Sequence, residues 1–135
     1  MITMEKGSFT FKTIQEIGLV KITQYVNQTL KELKAKNGVC NIFAPHATGV
    51  IIILEDEEGL KKDFVRKTKQ LFPPDAHYDH HDDNGHAHLM SAFIGESKTI
   101  PVRDGELELG TWQDVFFLET DGPREQRTVT VTYFE

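Results

Sequence analysis

The sequence predicts an α+β fold in a single domain, residues 1–135, with a largely antiparallel sheet and about three helices. Several short stretches rich in Val, Ile, Thr and Phe are either continuously apolar or alternate with polar residues, as strands do. Two longer stretches repeat apolar residues at helical spacing, with Lys and Glu between them. With 135 residues, 39% of them hydrophobic, the chain is long enough to bury one core.

The first half of the chain is expected to hold one strand, one helix and two more strands. Residues Phe9–Gln15 alternate and predict a half-buried strand. An amphipathic helix should start near Thr23 and end at Asn37-Gly38, a favourable pair for a helix end. The next two segments, Val39–Ala44 and Gly49–Leu54, are apolar enough to be central strands buried on both faces.

The second half is expected to hold two helices and four strands. Apolar positions from Leu60 to Phe72 predict an amphipathic helix that Pro73-Pro74 ends. A short third helix is predicted around Leu89–Phe93. The strands then include a hairpin over Ile100–Leu109, whose Asp-Gly turn supplies positive φ angles, followed by Val115–Glu119 and Thr128–Phe134.

Composition excludes several classes of protein. Acidic residues outnumber basic ones by 21 to 15, which argues against nucleic-acid binding because that depends on clustered Lys and Arg. No secretory signal and no membrane-spanning apolar run are present, so we expect a soluble, cytoplasmic protein without membrane contacts. The single Cys40 is expected to be a small buried hydrophobe.

The most informative local feature is a cluster of histidines. Five of the six fall between His77 and His88, and the sixth, His46, lies between the two apolar strands. A solvated His-rich loop is the simplest interpretation. However, the cluster joins two folded elements, and a stray histidine beside a very apolar run would be costly. A metal site or an acid/base site is therefore favoured.

Spacing limits which histidines can share a metal. His86 and His88 would share a side of a strand but point almost oppositely on a helix. At a helix N-terminus the dipole disfavours a cationic imidazole, which suits His88 as a ligand. Together with His80 and His46 it would form a three-histidine face that leaves positions for water or substrate, as catalytic zinc requires. We therefore expect a divalent metal, with zinc favoured, at His46, His80 and His88.

Three further polar residues are candidates for the same site. Glu55 ends an apolar strand and is either an acid/base group, a carboxylate that orients a ligand, or a surface charge. Gln113 is polar beside apolar residues and should face a pocket or find a partner. Arg124 and Arg127 are expected to hold an anionic group of a substrate, or else to pair with the chain's many carboxylates.

Several motifs together resemble the YjbQ-like family, a group of small proteins sometimes labelled secondary thiamine-phosphate synthases. The motifs follow the family's order along nearly the whole chain, and their joint occurrence is specific to the family. The resemblance rests on His46-Ala-Thr48 through Glu55, Tyr78-Asp-His80, His86-Ala-His88 through Ser97, Ile100-Pro101-Val, Gly110-Thr-Trp112-Gln113 and Asp121-Gly-Pro-Arg124.

The resemblance implies an α+β homotrimer with pockets near subunit boundaries, and its motif histidines match His46, His80 and His88. The activity attached to the family joins a pyrimidine diphosphate to a thiazole phosphate and expels pyrophosphate. Two positions depart from the family motif, since Ala47 follows the first histidine and Leu54 replaces an Asn. No Gly-rich phosphate-binding loop is present.

Two functions are therefore expected. The first is a metal-dependent enzyme, in which Glu55, Gln113 and Arg124 are catalytic and the substrate is a small phosphorylated or carboxylated molecule. The alternative is a non-catalytic, trimeric small-anion-binding protein with a structural metal. Oligomerisation is also expected because the strands offer more apolar surface than the helices can cover, and the last strand alternates Val with Thr.

Overall fold

Eight strands and three helices make up the chain, and the computed structural model describes all of residues 1–135. The α+β class and the three helices are confirmed. In chain order the elements are β1 (Met4–Thr13), β2 (Gly18–Lys21), α1 (Thr23–Glu32), β3 (Gly38–Phe43), β4 (Gly49–Leu54), α2 (Glu58–Leu71), α3 (Gly85–Ile94), β5 (Ser97–Arg103), β6 (Glu106–Leu107), β7 (Asp114–Glu119) and β8 (Arg124–Phe134).

The strands form two antiparallel sheets. The larger has the order β1-β8-β3-β5-β6, and the smaller has the order β2-β7-β4. The long strand β8 joins β1 to β3, because Val131 lies opposite Gly7 on one side and Ile42 on the other. The two sheets diverge after β7, where the chain turns at Asp121–Pro123 and enters β8.

The core is divided in the same way. The main cluster packs α1 between the sheets through residues such as Val26 and Leu30, which are fully buried with Ile42 and Phe117. A smaller cluster joins β4 and β7 to the inner sides of α2 and α3. It includes Met90 of α3, so the burial of this side chain fixes the helix that carries the histidines. Burying a side chain of this size contributes about 1.5–3 kcal/mol.

Four details differ from the sequence-based expectation. α1 ends at Glu32, well before Asn37-Gly38, because Lys34 turns the chain in the left-handed region with φ of 57°. The four-residue strand β2 was not predicted. β3 alternates buried and exposed residues rather than being buried on both faces. β4 is buried over its first four residues, but it is an edge strand of the smaller sheet rather than a central one.

Other expectations are confirmed. α2 ends at Leu71, before Pro73-Pro74, and the β5–β6 turn uses Asp104 and Gly105 with φ of 51° and 83°. Cys40 is fully buried, and that burial raises the pKa of its thiol to about 12, so it is not a nucleophile. No helix has both the length and the apolar character needed to cross a membrane.

Candidate functional site

His80 and His88 lie side by side. Their ring centroids are 4.7 Å apart, and the centroid of the His81 ring also lies 4.7 Å from that of His80. α3 starts at Gly85, earlier than predicted, so His86 and His88 are both helical. Helical geometry then points them in different directions. The structure thus pairs the loop histidine with His88 and turns His86 inward.

Close packing at Gly85 makes this pairing possible. A Cβ atom added at Gly85 would lie 2.7 Å from Tyr78 Cβ and 3.4 Å from His80 Cβ. The Tyr78 hydroxyl donates a hydrogen bond of 2.8 Å to the carbonyl of Pro73, which anchors the loop to the end of α2. The absence of a side chain at Gly85 therefore lets the loop bring His80 against the start of α3.

The two histidines border open clefts. One cleft has a volume of about 310 Å³ and is lined by Tyr78, Asp79, His80, Gly85, His88 and Leu89. A neighbouring cleft of about 320 Å³ adds His77, His81, Asp82 and Asp83. Asp82 Oδ2 lies 3.4 Å from His81 Nε2 and 4.0 Å from His80 Nε2. A carboxylate near an imidazole can orient the ring, as it does for metal-binding histidines.

His46 occupies a separate position in the β3–β4 turn. Its Nε2 lies 3.0 Å from both the amide nitrogen and the carbonyl oxygen of Thr128 in β8. Burial and the nearby charge of Arg127 lower the pKa of His46. The ring is therefore neutral at neutral pH, and Nδ1 is the nitrogen that remains free for another partner.

The structure does not gather the three predicted metal ligands within one chain. No group of three or more His, Cys, Asp or Glu side chains is arranged to hold a single ion. His80 and His88 come together, whereas His46 is held at Thr128.

His86 is the most unusual polar residue of the cluster. Its side chain is buried, only 4% exposed, and neither ring nitrogen has a hydrogen-bond partner. Asn84 Oδ1, two residues earlier, is buried without a partner as well. A buried polar atom without a partner costs about 1–3 kcal/mol. The start of α3 therefore carries an unfavourable polar arrangement that the sequence did not reveal.

Arg124 is connected to the histidine helix through one carboxylate. Its Nε donates to the carbonyl oxygen of Asp121 at 2.8 Å, and a terminal nitrogen donates to Asp121 Oδ2 at 2.9 Å. The same Oδ2 accepts a bond of 2.8 Å from Asn84 Nδ2, at the residue before α3. Asp121 thus links the exposed guanidinium to the helix that carries His88, through a bridging role that sequence patterns did not identify.

Glu55 and Gln113 have simpler surroundings. Glu55 follows β4, is exposed and makes no side-chain hydrogen bond. Gln113 Oε1 accepts a hydrogen bond of 2.8 Å from the Gly110 amide and so braces its own turn. Trp112 in that turn is 72% exposed, which excludes a core role for its ring. Leu54, where the family motif has Asn, packs against the smaller core.

Arg127 does not face a substrate. It is buried, and its guanidinium binds both carboxylate oxygens of Glu119 and the carbonyl and hydroxyl oxygens of Thr48. Glu119 also accepts a hydrogen bond of 2.7 Å from the Thr13 hydroxyl. Of the two interpretations of Arg127, the structure shows pairing with a carboxylate rather than a position that could hold a substrate. A carboxylate that ends the apolar strand β7 and an arginine four residues into the next strand, on either side of one turn, are the signal that could have identified this pair.

Comparisons with known proteins agree with this architecture. Residues 7–135 match the family described as UPF0047 protein YjbQ-like. A UPF0047 protein of Methanothermobacter thermautotrophicus is 39% identical over 118 residues, covering 86% of this chain and 82% of the relative. UPF0047 protein YugU of Bacillus subtilis is 36% identical, covering 84% of this chain and 87% of the relative.

Solved structures of similar proteins have the same fold. A YbjQ-like protein of unknown function from Sulfolobus solfataricus superimposes with a TM-score of 0.94 at 38% identity, covering 99% of both chains. A hypothetical protein from Aeropyrum pernix gives a TM-score of 0.90 at 40% identity, covering 96% of this chain and 97% of that one. This chain belongs to the YjbQ-like family, UPF0047.

Proposed function

We propose that this protein is a metal-dependent enzyme that acts on a small phosphorylated or carboxylated molecule. The observation that carries the proposal is the His80–His88 pair, with ring centroids 4.7 Å apart beside a cleft. Adjacent imidazoles are a donor set that zinc and neighbouring transition metals favour. When bound, such an ion would supply Lewis acidity toward a phosphate or carboxylate oxygen.

Within one chain, two histidines rather than three are close enough together to bind one metal ion. We assign metal binding to His80 and His88, and Asp82, whose Oδ2 lies 4.0 Å from His80 Nε2, would orient the His80 ring. His46 contributes Nδ1, either to substrate or to the metal site of a neighbouring protomer. Two protein ligands leave more than one position open, which suits exchangeable ligands better than a closed structural site.

The remaining residues bind the substrate and move protons. Arg124 would hold an anionic group, since Asp121 orients its guanidinium and leaves the side chain about half exposed. Glu55 is a solvent-facing carboxylate without a partner. However, it and Gln113 lie at the end of the β4–β7 pair where Leu54 meets Asp114, far from Arg124. They would therefore act on the same substrate only from a neighbouring protomer. The Gln113 amide group keeps its NH₂ free to donate, because only its oxygen is engaged.

The specific reaction to be tested joins a pyrimidine diphosphate to a thiazole phosphate with loss of pyrophosphate. In this scheme the thiazole ring nitrogen bonds to the pyrimidine methylene carbon as the carbon–oxygen bond to the diphosphate breaks. Arg124 would bind the departing diphosphate, and Glu55, reaching the site from a neighbouring protomer, would protonate it. The measurement is pyrophosphate release by zinc-loaded protein, with Arg124→Lys and Glu55→Gln as variants. Release that neither variant changes would remove both residues from the proposed roles.

Metal binding itself is tested by elemental analysis followed by calorimetric titration with zinc. His80→Ala and His88→Ala should each weaken zinc binding by more than about 100-fold, because losing a direct ligand costs more than the roughly 10–100-fold lost with an outer-shell partner. His77→Ala is the matched control, because His77 is exposed and contacts Asp79 rather than the histidine pair. No zinc binding by the wild-type protein would refute the metal proposal.

We also propose that the protein is a homotrimer. The outer face of the larger sheet presents Thr128, Thr130 and Thr132 beside the exposed Phe43, with no helix packed over them. Trp112 adds an exposed aromatic ring, and aromatic residues are enriched at interfaces. Light scattering at micromolar concentration should give the mass of three chains, and Trp112→Ala should shift it toward the monomer.

The alternative is a non-catalytic protein that binds a small anion next to a structural metal. The Arg124–Asp121–Asn84 connection favours it, because it joins an anion-binding group to the histidine helix without requiring a reaction. Zinc and pyrophosphate would then bind without turnover, and His88→Ala would lower the melting temperature markedly. Turnover by the wild type that His88→Ala loses while keeping its stability would instead support the enzyme.

A further inference from the structure

A second groove lies away from the histidines, between β2 and α2. Its volume is about 450 Å³, within the range of small-molecule sites. One side of the groove is formed by β2 and the residues just before it, and the other side is one face of α2. None of these residues belongs to the site described above.

The floor of the groove is apolar. Ile17 is a member of the smaller core cluster, and Leu19 and Val65 are partly buried against it. These three side chains come from two different elements and form one surface at the base of the groove. An apolar surface of this kind gains free energy when a ligand removes it from water, by about 25 cal/mol per Å².

The rim of the groove is cationic. Lys62, Arg66 and Lys69 follow one another at helical spacing, so they lie on the same face of α2. Neither Lys62 nor Lys69 forms an ion pair, and Arg66 is engaged only by the exposed Asp63. Lys61, by contrast, is already neutralised by Asp56 and Glu58 at 2.7 and 2.8 Å, and its pairing cancels the one acidic residue of the lining.

The local charge opposes that of the whole protein. The chain carries a net charge of −6, so an anion is attracted here only by this local arrangement. A bare inorganic anion would leave the apolar floor in water, and a neutral apolar molecule would leave the lysines unused. We propose that the groove binds a small organic anion with an apolar body, of the acyl or aryl carboxylate or phosphate class.

The test separates the charge of the ligand from its apolar body. Binding of octanoate, octanol and inorganic phosphate is followed in two-dimensional amide NMR spectra, and phenyl phosphate distinguishes an aryl from an acyl body. Octanoate or phenyl phosphate should shift amides of residues 17–21 and 58–69. Octanol and inorganic phosphate at the same concentration should shift them far less. Octanol binding as tightly as octanoate would overturn the proposal.

A charge-reversed variant locates the site. Lys62→Glu with Lys69→Glu should weaken octanoate binding by roughly tenfold, since two attractive contacts become repulsive. Lys31→Glu with Lys36→Glu makes the same change in net charge outside the groove and should keep the affinity within about twofold. All four positions are exposed, so the fold should persist in both variants.

Three outcomes would contradict the proposal. Equal affinity of the wild-type protein and the groove variant, or amide shifts centred on the exposed Phe93, would move the site elsewhere. Lysine-dependent binding to phosphatidylglycerol vesicles without any binding of octanoate or phenyl phosphate would identify the cationic face as a membrane-surface contact instead.

Discussion

Polar side chains are buried in two regions of this molecule, and their surroundings differ sharply. Between β7 and β8, the Arg127 guanidinium is matched by Glu119 and Thr48, and Glu119 also receives hydrogen bonds from Thr13 and from the Asp121 amide. At the start of α3, both ring nitrogens of His86 lack a partner.

The difference distinguishes a structural polar network from a region in which stability is not optimised. A buried ion pair is tolerated only when its charges and remaining donors are satisfied, as they are around Arg127. That network connects the turn carrying His46 to the Asp121–Pro123 turn that precedes Arg124. The α3 start has no such compensation, yet it holds the histidine pair and borders a cleft, which is where natural proteins most often accept local cost.

Removing one charge from the satisfied network should have the largest effect. In Glu119→Leu the Arg127 cation stays buried without its partner, and the free energy of unfolding should fall by about 3–5 kcal/mol. Urea unfolding monitored by circular dichroism measures it. The double variant Glu119→Leu with Arg127→Met should recover most of the loss, and Glu16→Leu at an exposed position should lose little. A loss below about 1 kcal/mol in Glu119→Leu would show that the network contributes little to stability.

Acid should weaken the same network. Burial raises the pKa of Glu119, but hydrogen bonds from Arg127, Thr13 and the Asp121 amide outweigh it and hold the pKa below the ordinary value of 4.5. The unfolded chain therefore takes up this proton first, and stability is lost as the pH falls from 4.5 through the folded pKa. Unfolding free energies measured across this range should fall less steeply for Glu119→Gln than for the wild type. Parallel curves for the two proteins would contradict this assignment.

At the start of α3, where His86 lacks hydrogen-bond partners, a substitution is expected to preserve or raise stability rather than lower it. His86→Leu removes two buried polar atoms without partners and should leave stability unchanged or raise it by about 1 kcal/mol. Thermal unfolding is the measurement, and His77→Leu at an exposed position serves as the control. Zinc affinity should persist in His86→Leu, because His80 and His88 remain. A clear loss of stability would mean that His86 has an essential partner in the folded protein.

The smallest effect is expected at Arg124. Arg124→Lys keeps the charge but loses the planar fork that can bind two oxygens, so pyrophosphate should bind about three- to tenfold more weakly. Arg103→Lys is the matched control, since Arg103 also forms an exposed ion pair, with Glu108. Calorimetric titration of the three proteins compares them. Equal affinities for the wild type and Arg124→Lys would remove Arg124 from the anion site.

Sequence patterns identified elements best where they were long or had clear ends. The bounds of β4 and the end of α2 before Pro73 were predicted closely, whereas the edge position of β4 was not. β2 was missed because four residues directly before an amphipathic helix give no distinct period. The end of α1 was misplaced because Lys34, rather than a glycine or asparagine, takes the left-handed conformation.

The site was predicted only in part for a different reason. The choice between His86 and His88 depends on where α3 starts, and spacing alone could state the alternatives but not decide them. Arg127 is buried because it pairs with Glu119, and the two residues become neighbours only when β7 and β8 have folded. Contacts set by tertiary structure, such as Thr128 with His46, leave no local pattern in the chain.

Asp121 has a thermodynamic consequence, because its Oδ2 accepts hydrogen bonds from both Asn84 and Arg124. An anion that draws the guanidinium away from Asp121 would leave that carboxylate free to pull harder on Asn84 and the first turn of α3. Occupancy at Arg124 and the affinity of the histidine pair would then be reciprocal: whatever factor the anion imposes on metal affinity, the metal must impose on anion affinity. One shared carboxylate oxygen would be enough to make two binding events cooperative or competitive.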